Sequence, residues 1–288
     1  MKTYRIGRPI SIALVLVLAV AGFAIACGGG EETEAEGRIG VIVTILPQAD
    51  FAERVGGEKV NVTVMVPPGA SPHTFEPTPS QLEKVSKARM YAKVGSGVEF
   101  ELAWMDKIIG QNKNMLIVDC SKDITRLGND PHIWNSPVNA KRMVQNICAG
   151  LIEADPDHAD FYTENKNSYL KELDALDRYI HERLDGFTNR HFMIYHPSFG
   201  YFADEYNLKQ LAVEHGGKPP MPKVFQDCID KANEYNLSYV FVAPQFATQH
   251  AETVANSING KTVFTDPLPR LYIANMRSVT GALAVEME

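Results

Sequence analysis

The chain has 288 residues, of which 45% are apolar and 22% charged, and its formal net charge is −7. This composition is typical of a folded globular protein and excludes an intrinsically disordered chain. The acidic balance argues against nucleic acid as a partner, because phosphate backbones are bound by clustered lysine and arginine. It is compatible with the collection of cations.

The N-terminus has the pattern of an export signal. Three basic residues precede a mainly apolar run over residues 10–26, which ends in small residues before Cys27. This ending resembles a lipobox, in which Cys27 would carry lipid and residues 1–27 would form the signal peptide and lipobox; Ala24 stands where leucine is usual. An uncleaved anchor helix is the alternative, because the run is close to the ~17-residue lower limit for spanning a bilayer. Both interpretations place the folded part at the outer face of the cytoplasmic membrane.

The sequence beyond Cys27 contains a predicted tether and three further cysteines. Residues 28–37 are rich in glycine and glutamate and are predicted to be a flexible tether. The cysteines beyond the export segment have no CxxC spacing, which disfavours a thiolate metal site. We expect them to be small buried apolar side chains; they are Cys120, Cys148 and Cys228.

Strands and helices alternate through the first half of the chain. Residues 39–45 form a β-branched run that is typical of a strand buried on both faces. The further predicted strands are 60–66, 90–94 and 115–118, and the predicted helices are 48–56, 78–88 and 101–110. This alternation predicts βαβ units and a mostly parallel sheet, in an N-terminal α/β lobe over residues 38–154.

The middle of the chain is predicted to be helical. An amphipathic helix over residues 139–154 is followed by a second helical pattern from Pro156 to Gly186, residues that suit the start and the stop of a helix. Apolar residues recur along this second pattern at mostly three- and four-residue spacings; they are Phe161, Tyr169, Leu173, Leu176, Ile180 and Leu184. The pattern predicts a stiff connecting helix over residues 155–186.

The second half repeats the alternation, although no sequence repeat between the halves is visible. Its predicted strands are 192–195, 208–213, 239–243 and 262–264, and its predicted helices are 199–206, 223–234 and 248–259. These elements predict a C-terminal α/β lobe over residues 187–288. The expected fold class is therefore α/β, with two lobes of mostly parallel sheet joined by one long rigid helix.

Four polar residues mark points where an apolar run gives way to a turn. They are His73, His132, His196 and Asp266, and each has a proline beside it. In open α/β sheets ligands collect at the carboxyl ends of the strands, which is where His73, His196 and Asp266 fall, while His132 lies at the end of a loop after the predicted strand 115–118. Three imidazoles and a carboxylate suit a zinc-like ion. Because two of the four belong to each half, we predict a metal site in the cleft between the lobes.

Other interpretations of these residues stay open. A histidine or an aspartate beside a proline can be an ordinary turn residue. Glu76 and Glu214 are weaker alternatives for the oxygen ligand of the metal. His215 could contact one of the metal ligands without binding the metal itself.

The segments around the four residues resemble the ligand loops of a known family. The family is that of the metal-binding receptors of zinc and manganese ABC importers (cluster A-I), which also contains lipoproteins described as adhesins. The resemblance covers residues 39–280 and rests on four segments in the same order: 69–77 (GASPHTFEP), 130–134 (DPHIW), 196–202 (HPSFGYF) and 266–268 (DPL). It implies two α/β lobes, a rigid linking helix and metal held between the lobes by the three histidines and Asp266.

The resemblance also implies a function. The chain would be a monomeric, non-catalytic receptor that captures a divalent metal and delivers it to an ABC permease, held at the membrane by lipid or by an N-terminal helix. Zinc is favoured over manganese because His196 stands where related manganese receptors often have glutamate. The loop over residues 120–130 contains no histidine, so no auxiliary metal-collecting loop is expected.

Three alternative functions remain at this point. The first is a manganese receptor of the same type, and the second is a surface adhesin lipoprotein. The third, a zinc hydrolase, is disfavoured because Asp266 would fill the position that a catalytic zinc keeps open, and because the chain has no HExxH motif.

Overall fold

The computed structural model describes residues 37–214, 221–246 and 249–288. The predicted signal peptide, Cys27 and all but the last residue of the predicted tether lie outside these ranges, as does His215. No helix within the described ranges is both long and apolar enough to cross a membrane.

The first half forms a four-stranded parallel sheet with helices between its strands. The strands are β1 (Ile39–Val43), β2 (Val60–Val64), β3 (Met90–Lys93) and β4 (Leu116–Asp119), and the helices are α1 (Leu46–Gly56), α2 (Pro79–Lys87) and α3 (Glu99–Gln111). The strand order is β2-β1-β3-β4, so β1 is an inner strand. Val41 of β1 pairs with Val62 and with Met90 and is fully buried, which explains the continuous β-branched run.

Two helices follow, and the second of them is the predicted connector. They are α4 (Pro137–Ala154) and α5 (Ala159–Leu184), separated by a 3₁₀ turn over Pro156–His158. With 26 residues, α5 is about 39 Å long at 1.5 Å per residue. The first turn of the predicted connector, which begins at Pro156, is thus 3₁₀, and its α-helical part begins at Ala159. Tyr162 lies in the buried stripe of α5, whereas Phe161 is only partly buried.

The second half forms another four-stranded parallel sheet with the same strand order as the first. Its strands are β5 (His191–Ile194), β6 (Lys209–Ala212), β7 (Tyr239–Val242) and β8 (Lys261–Phe264), in the order β6-β5-β7-β8, and its helices are α6 (Gly200–Glu205), α7 (Pro222–Glu234), α8 (Gln249–Ser257) and α9 (Tyr272–Met287). The predicted α/β fold class with two parallel sheets and one long helix is confirmed.

Helix α9 is absent from the predicted elements, which stop at residue 264. Its sequence includes Val279, Thr280 and Gly281, residues of low intrinsic helix propensity. In the structure α9 packs against α5 and against β5, and Met276, Leu283 and other side chains along it are buried. Tertiary packing therefore stabilises a helix that local propensity does not predict.

One hydrophobic core extends through both halves of the chain. It joins side chains of the first sheet to Leu173 and Leu176 of α5, Phe192 of β5 and Tyr272 of α9. A second cluster, which includes Val240 and Val242, covers the other face of the second sheet. Because the main core is shared, moving the halves apart would expose apolar surface to water at a cost in free energy. The predicted lobe boundaries at residues 154 and 187 stay predictions.

Candidate metal centre

His73 lies in the loop that follows β2. The loop is bonded to the start of α3, because the amide of Phe100 donates to the carbonyl of Pro72 at 3.0 Å. The ring nitrogen Nδ1 of His73 lies 2.7 Å from Oε2 of Glu99, the first residue of α3. A carboxylate accepts hydrogen bonds, so Nδ1 carries the proton and the lone pair is on Nε2.

His132 follows β4 after a loop of about a dozen residues and is almost fully buried. Oδ1 of Asp130 accepts from the backbone amide of His132 at 2.9 Å and lies 2.7 Å from its Nδ1. Ser96 fixes the same loop by donating to the carbonyl of Pro131 at 2.5 Å. Burial lowers the pKa of His132 from its ordinary value, although the hydrogen bond to Asp130 opposes this effect. The ring is therefore kept neutral, which is the form that binds metal.

His196 lies directly beyond β5, which is an inner strand of the second sheet. Its Nδ1 is 2.7 Å from Oε2 of Glu214, a buried carboxylate that follows β6. The ring of Phe246 stacks on the imidazole with 4.4 Å between the ring centroids. Glu214, one of the sequence-based alternatives for an oxygen ligand, is thus placed on the Nδ1 side of His196, where it would orient the ring.

The three imidazoles converge although they come from three separate loops. One ligand atom from each histidine can be chosen so that all three lie within 4.8 Å of one another, and Nε2 of His132 is 3.3 Å from Nε2 of His196. Two nitrogens bound to one tetrahedral zinc at ~2.0–2.1 Å are separated by about 3.3 Å. The spacing of this pair therefore fits a shared zinc ion.

A shared pattern of hydrogen bonding orients the three rings. Each Nδ1 faces a carboxylate at 2.7 Å; the carboxylates belong to Glu99, Asp130 and Glu214. Ligating histidines in metalloproteins are commonly fixed in this way, and the arrangement also makes the free nitrogen a better donor to metal. The rings line a cleft of about 880 Å³ between the two halves.

A buried carboxylate fixes the turn that carries two of the residues in contact with the histidine loops. Glu101 accepts hydrogen bonds from the amide of Val94 at 2.6 Å, the amide of Gly95 at 2.9 Å and the hydroxyl of Thr44 at 2.5 Å. Burial raises the pKa of Glu101. These bonds hold the turn between β3 and α3, the segment from which Ser96 and Glu99 contact the two histidine loops of the first half.

Asp266 lies outside the group of three histidines. The structure gives its Oδ1 two donors, Nε2 of Gln245 at 2.9 Å and the backbone amide of Leu268 at 2.9 Å. Its loop is attached to the first half of the chain, because the indole nitrogen of Trp134 donates to the carbonyl of Pro267 at 2.6 Å. The structure thus brings three of the four predicted ligands together, and the assignment of Asp266 as a ligand stays a prediction. Glu76 is exposed and also lies outside the group.

Four residues that contact the predicted ligands were not predicted from the sequence. Asp130, only two residues before His132, could have been found by its position in the DPHIW segment. Glu99 is 26 residues from His73, and Gln245 and Phe246 follow β7, so nothing local links them to a histidine. The three cysteines are free and buried as predicted, and none lies at the cleft.

Most of the chain is similar to known metal-uptake proteins. A family model described as zinc-uptake complex component A, periplasmic (ZnuA), matches residues 41–285. The high-affinity zinc uptake system protein ZnuA of Bacillus subtilis is 26% identical over 285 residues, which cover 89% of this chain and 88% of that protein. The manganese-binding lipoprotein MntA of Halalkalibacterium halodurans is 28% identical over 254 residues, covering 84% and 83%. A crystal structure of a ZnuA deletion mutant with zinc bound superposes with a TM-score of 0.84 at 37% identity, covering 87% of this chain and 98% of that one.

Proposed function

Because the chain belongs to the family of periplasmic zinc-uptake component A proteins, we propose that it is an extracytoplasmic receptor that binds a divalent transition metal, zinc in the first place, and delivers it to an ABC permease. The relatives named above bind zinc or manganese according to their names. The metal is cargo in this proposal, and the protein performs no chemical reaction on it.

The observation that carries the proposal is the convergence of three imidazoles. Two Nε2 atoms are 3.3 Å apart, each Nδ1 is occupied by a carboxylate, and the cleft gives access from solvent. Bringing unprotonated nitrogens this close without an ion repels their lone pairs, whereas a bound cation converts the same spacing into three bonds.

Asp266 is the fourth ligand in this proposal. It is attached through Gln245 to the wall of the cleft that the histidines line. A carboxylate would neutralise one charge of the ion and close the site, as structural and transport sites require, so that no position is left for a reactive water. Glu214 and Glu99 are less suitable, because each is engaged by the Nδ1 of a histidine.

Zinc is favoured over manganese by the donor set. Nitrogen donors bind zinc more tightly than manganese, which prefers oxygen ligands. Attachment to the outer face of the membrane, through lipid on Cys27 or through an uncleaved helix, and a monomeric state belong to the same proposal. The adhesin alternative rests on a shared fold alone, because the solved laminin-binding proteins are 24% identical to this chain.

Metal competition tests the proposal. We expect protein purified without added metal to contain close to one zinc per chain, and titration against a chelator to give an affinity for zinc roughly a hundredfold above that for manganese. The variant with alanine at both His158 and His181, which lie on or beside α5 away from the cleft, is the control and should behave as the unaltered protein. Absence of binding of both metals would refute the receptor proposal, and equal or tighter manganese binding would refute the choice of zinc.

Acid is expected to weaken zinc binding. Imidazole ordinarily titrates near pH 6.5, and a protonated ring has no lone pair for the metal. Because burial lowers the pKa of His132, that ring stays neutral to a lower pH than free imidazole. We expect the affinity to be nearly constant above about pH 7 and to fall roughly tenfold or more between about pH 6.5 and 5.5, as measured by chelator competition. A profile that is flat from pH 7.5 to 5.5 would contradict binding by imidazole.

A further inference from the structure

Gln245 occupies an unusual position in the wall of the metal cleft. It follows β7 and lines the cleft together with the three histidines. Its amide nitrogen Nε2 donates to Oδ1 of Asp266 at 2.9 Å. The backbone amide of Leu268 donates to the same oxygen, also at 2.9 Å. Both described hydrogen bonds of the Asp266 carboxylate thus end on Oδ1, and Oδ2 is the oxygen that this arrangement offers to an ion.

The bond to Asp266 fixes the orientation of the Gln245 amide. A rotated amide would place its carbonyl oxygen against the carboxylate, and two acceptors repel each other. In the observed orientation the carbonyl oxygen Oε1 is buried and has no hydrogen-bond partner among the described residues. A buried acceptor without a donor is unfavourable. Among the described residues, the Gln245 side chain is therefore held by its hydrogen bond to Asp266. This is the pattern expected of a residue whose role is to orient that carboxylate.

We propose that Gln245 is a positioning residue that holds the Asp266 carboxylate so that it binds the metal through one oxygen. The inference rests on the proposed function and assigns Gln245 no contact with the ion. With Oδ1 held by Gln245 and Leu268, Oδ2 is the oxygen left to bind the ion. Hydrogen bonds to a ligating carboxylate of this kind typically change metal affinity 10- to 100-fold.

A double-mutant cycle between Gln245 and Asp266 tests the inference. Gln245→Met keeps the approximate volume of the side chain and removes the donor. We expect it to weaken zinc binding about tenfold, measured by chelator competition, and to speed zinc release in stopped-flow experiments. Asp266→Ala should weaken binding more strongly, and Gln245→Met should have no further effect in the Asp266→Ala background, because the residue acts only through that carboxylate.

The visible absorption of bound Co²⁺ separates positioning from a general structural effect. It reports the coordination of the ion, so Gln245→Met should change the spectrum of the unaltered site and leave that of the Asp266→Ala site as it is. The matched control is Gln226→Met, since Nε2 of Gln226 donates to Oδ1 of Asp230 at 2.8 Å on the exposed face of α7. This variant should bind zinc as the unaltered protein does.

The other possible outcomes test the positioning role, the assignment of Asp266 as a ligand and the proposed function separately. Unchanged or tighter zinc binding by Gln245→Met overturns the positioning role, and so does an equal loss in both backgrounds, which would make Gln245 act independently of Asp266. If Asp266→Ala itself binds zinc normally, Asp266 is not a ligand and the inference fails while the three-histidine site stands. If the unaltered protein binds no zinc, the proposed function fails first.

Discussion

Replacing His196 by alanine is expected to lower the affinity for zinc on the order of 10²–10³-fold. Zinc sites with four protein ligands bind with roughly 10–16 kcal/mol in total, so one ligand accounts for about 3–4 kcal/mol. His196 is the best placed of the ligands for this test, because its Nε2 is 3.3 Å from that of His132 and because its other nitrogen is held by buried Glu214. The variant should be measured by chelator competition, with circular dichroism to verify the fold.

A second histidine close in the sequence is the matched control. His191 begins β5, five residues before His196, and its ring stacks on Tyr235 with 3.7 Å between centroids. His191→Ala removes an imidazole from the same half of the protein without touching the cleft, and we expect zinc binding to be unchanged. Equal losses in the two variants would mean that the effect is structural, and an unchanged affinity in His196→Ala would exclude this residue as a ligand.

Zinc is also expected to stabilise the fold strongly. Two of the histidines follow strands of the first sheet and His196 follows a strand of the second, so one ion links both halves in the folded state and has no such site in the unfolded chain. At free zinc 1,000 times above its dissociation constant, the free energy of unfolding should rise by about 4 kcal/mol. For a domain of this size the midpoint of thermal unfolding should rise by roughly 8–16 °C.

Differential scanning calorimetry with and without zinc measures this effect. Excess chelator should reverse it, and the His196→Ala variant should show a much smaller increase at the same free zinc concentration. Magnesium, which prefers oxygen ligands, serves as the control ion and should leave the midpoint unchanged. An equal increase in the unaltered protein and in His196→Ala would show that zinc acts elsewhere on the chain.

The shared core limits how the protein can respond to its metal. Helix α5 packs against α1 and α4 of the first half and against α9 of the second. Two contacts near the site also cross between the halves: the indole nitrogen of Trp134 donates to the carbonyl of Pro267 at 2.6 Å, and the side-chain Nδ2 of Asn135 donates to the carbonyl of Ser198 at 2.8 Å. The loop that carries His132 is thus bonded to the loops that carry His196 and Asp266 through backbone carbonyls of those loops. A wide separation of the halves would break these bonds and expose the core.

The sequence by itself determined the elements that depend on local patterns. The β-branched run at residues 39–45, the period of the long helix and the strand–helix alternation predicted two parallel sheets and a connector, because hydrophobic periodicity reflects which face of an element is buried. His73 and His196 follow predicted strands and His132 ends the loop after a third strand, and these positions predicted that the side chains would meet, since parallel strands end at one edge of a sheet.

Only the tertiary structure decided the details that depend on distant neighbours. Helix α9 owes its form to packing against α5, and its residues of low propensity give no local signal. Glu99 contacts the ring of His73 from 26 positions away in the sequence, and Glu214 contacts the ring of His196 from 18 positions away. The place of Asp266, beside Gln245 and outside the histidine group, is set by the loop that Trp134 holds. These contacts join segments that are distant in the sequence. No local sequence pattern links the two residues of such a contact, so a single sequence does not predict which residues meet.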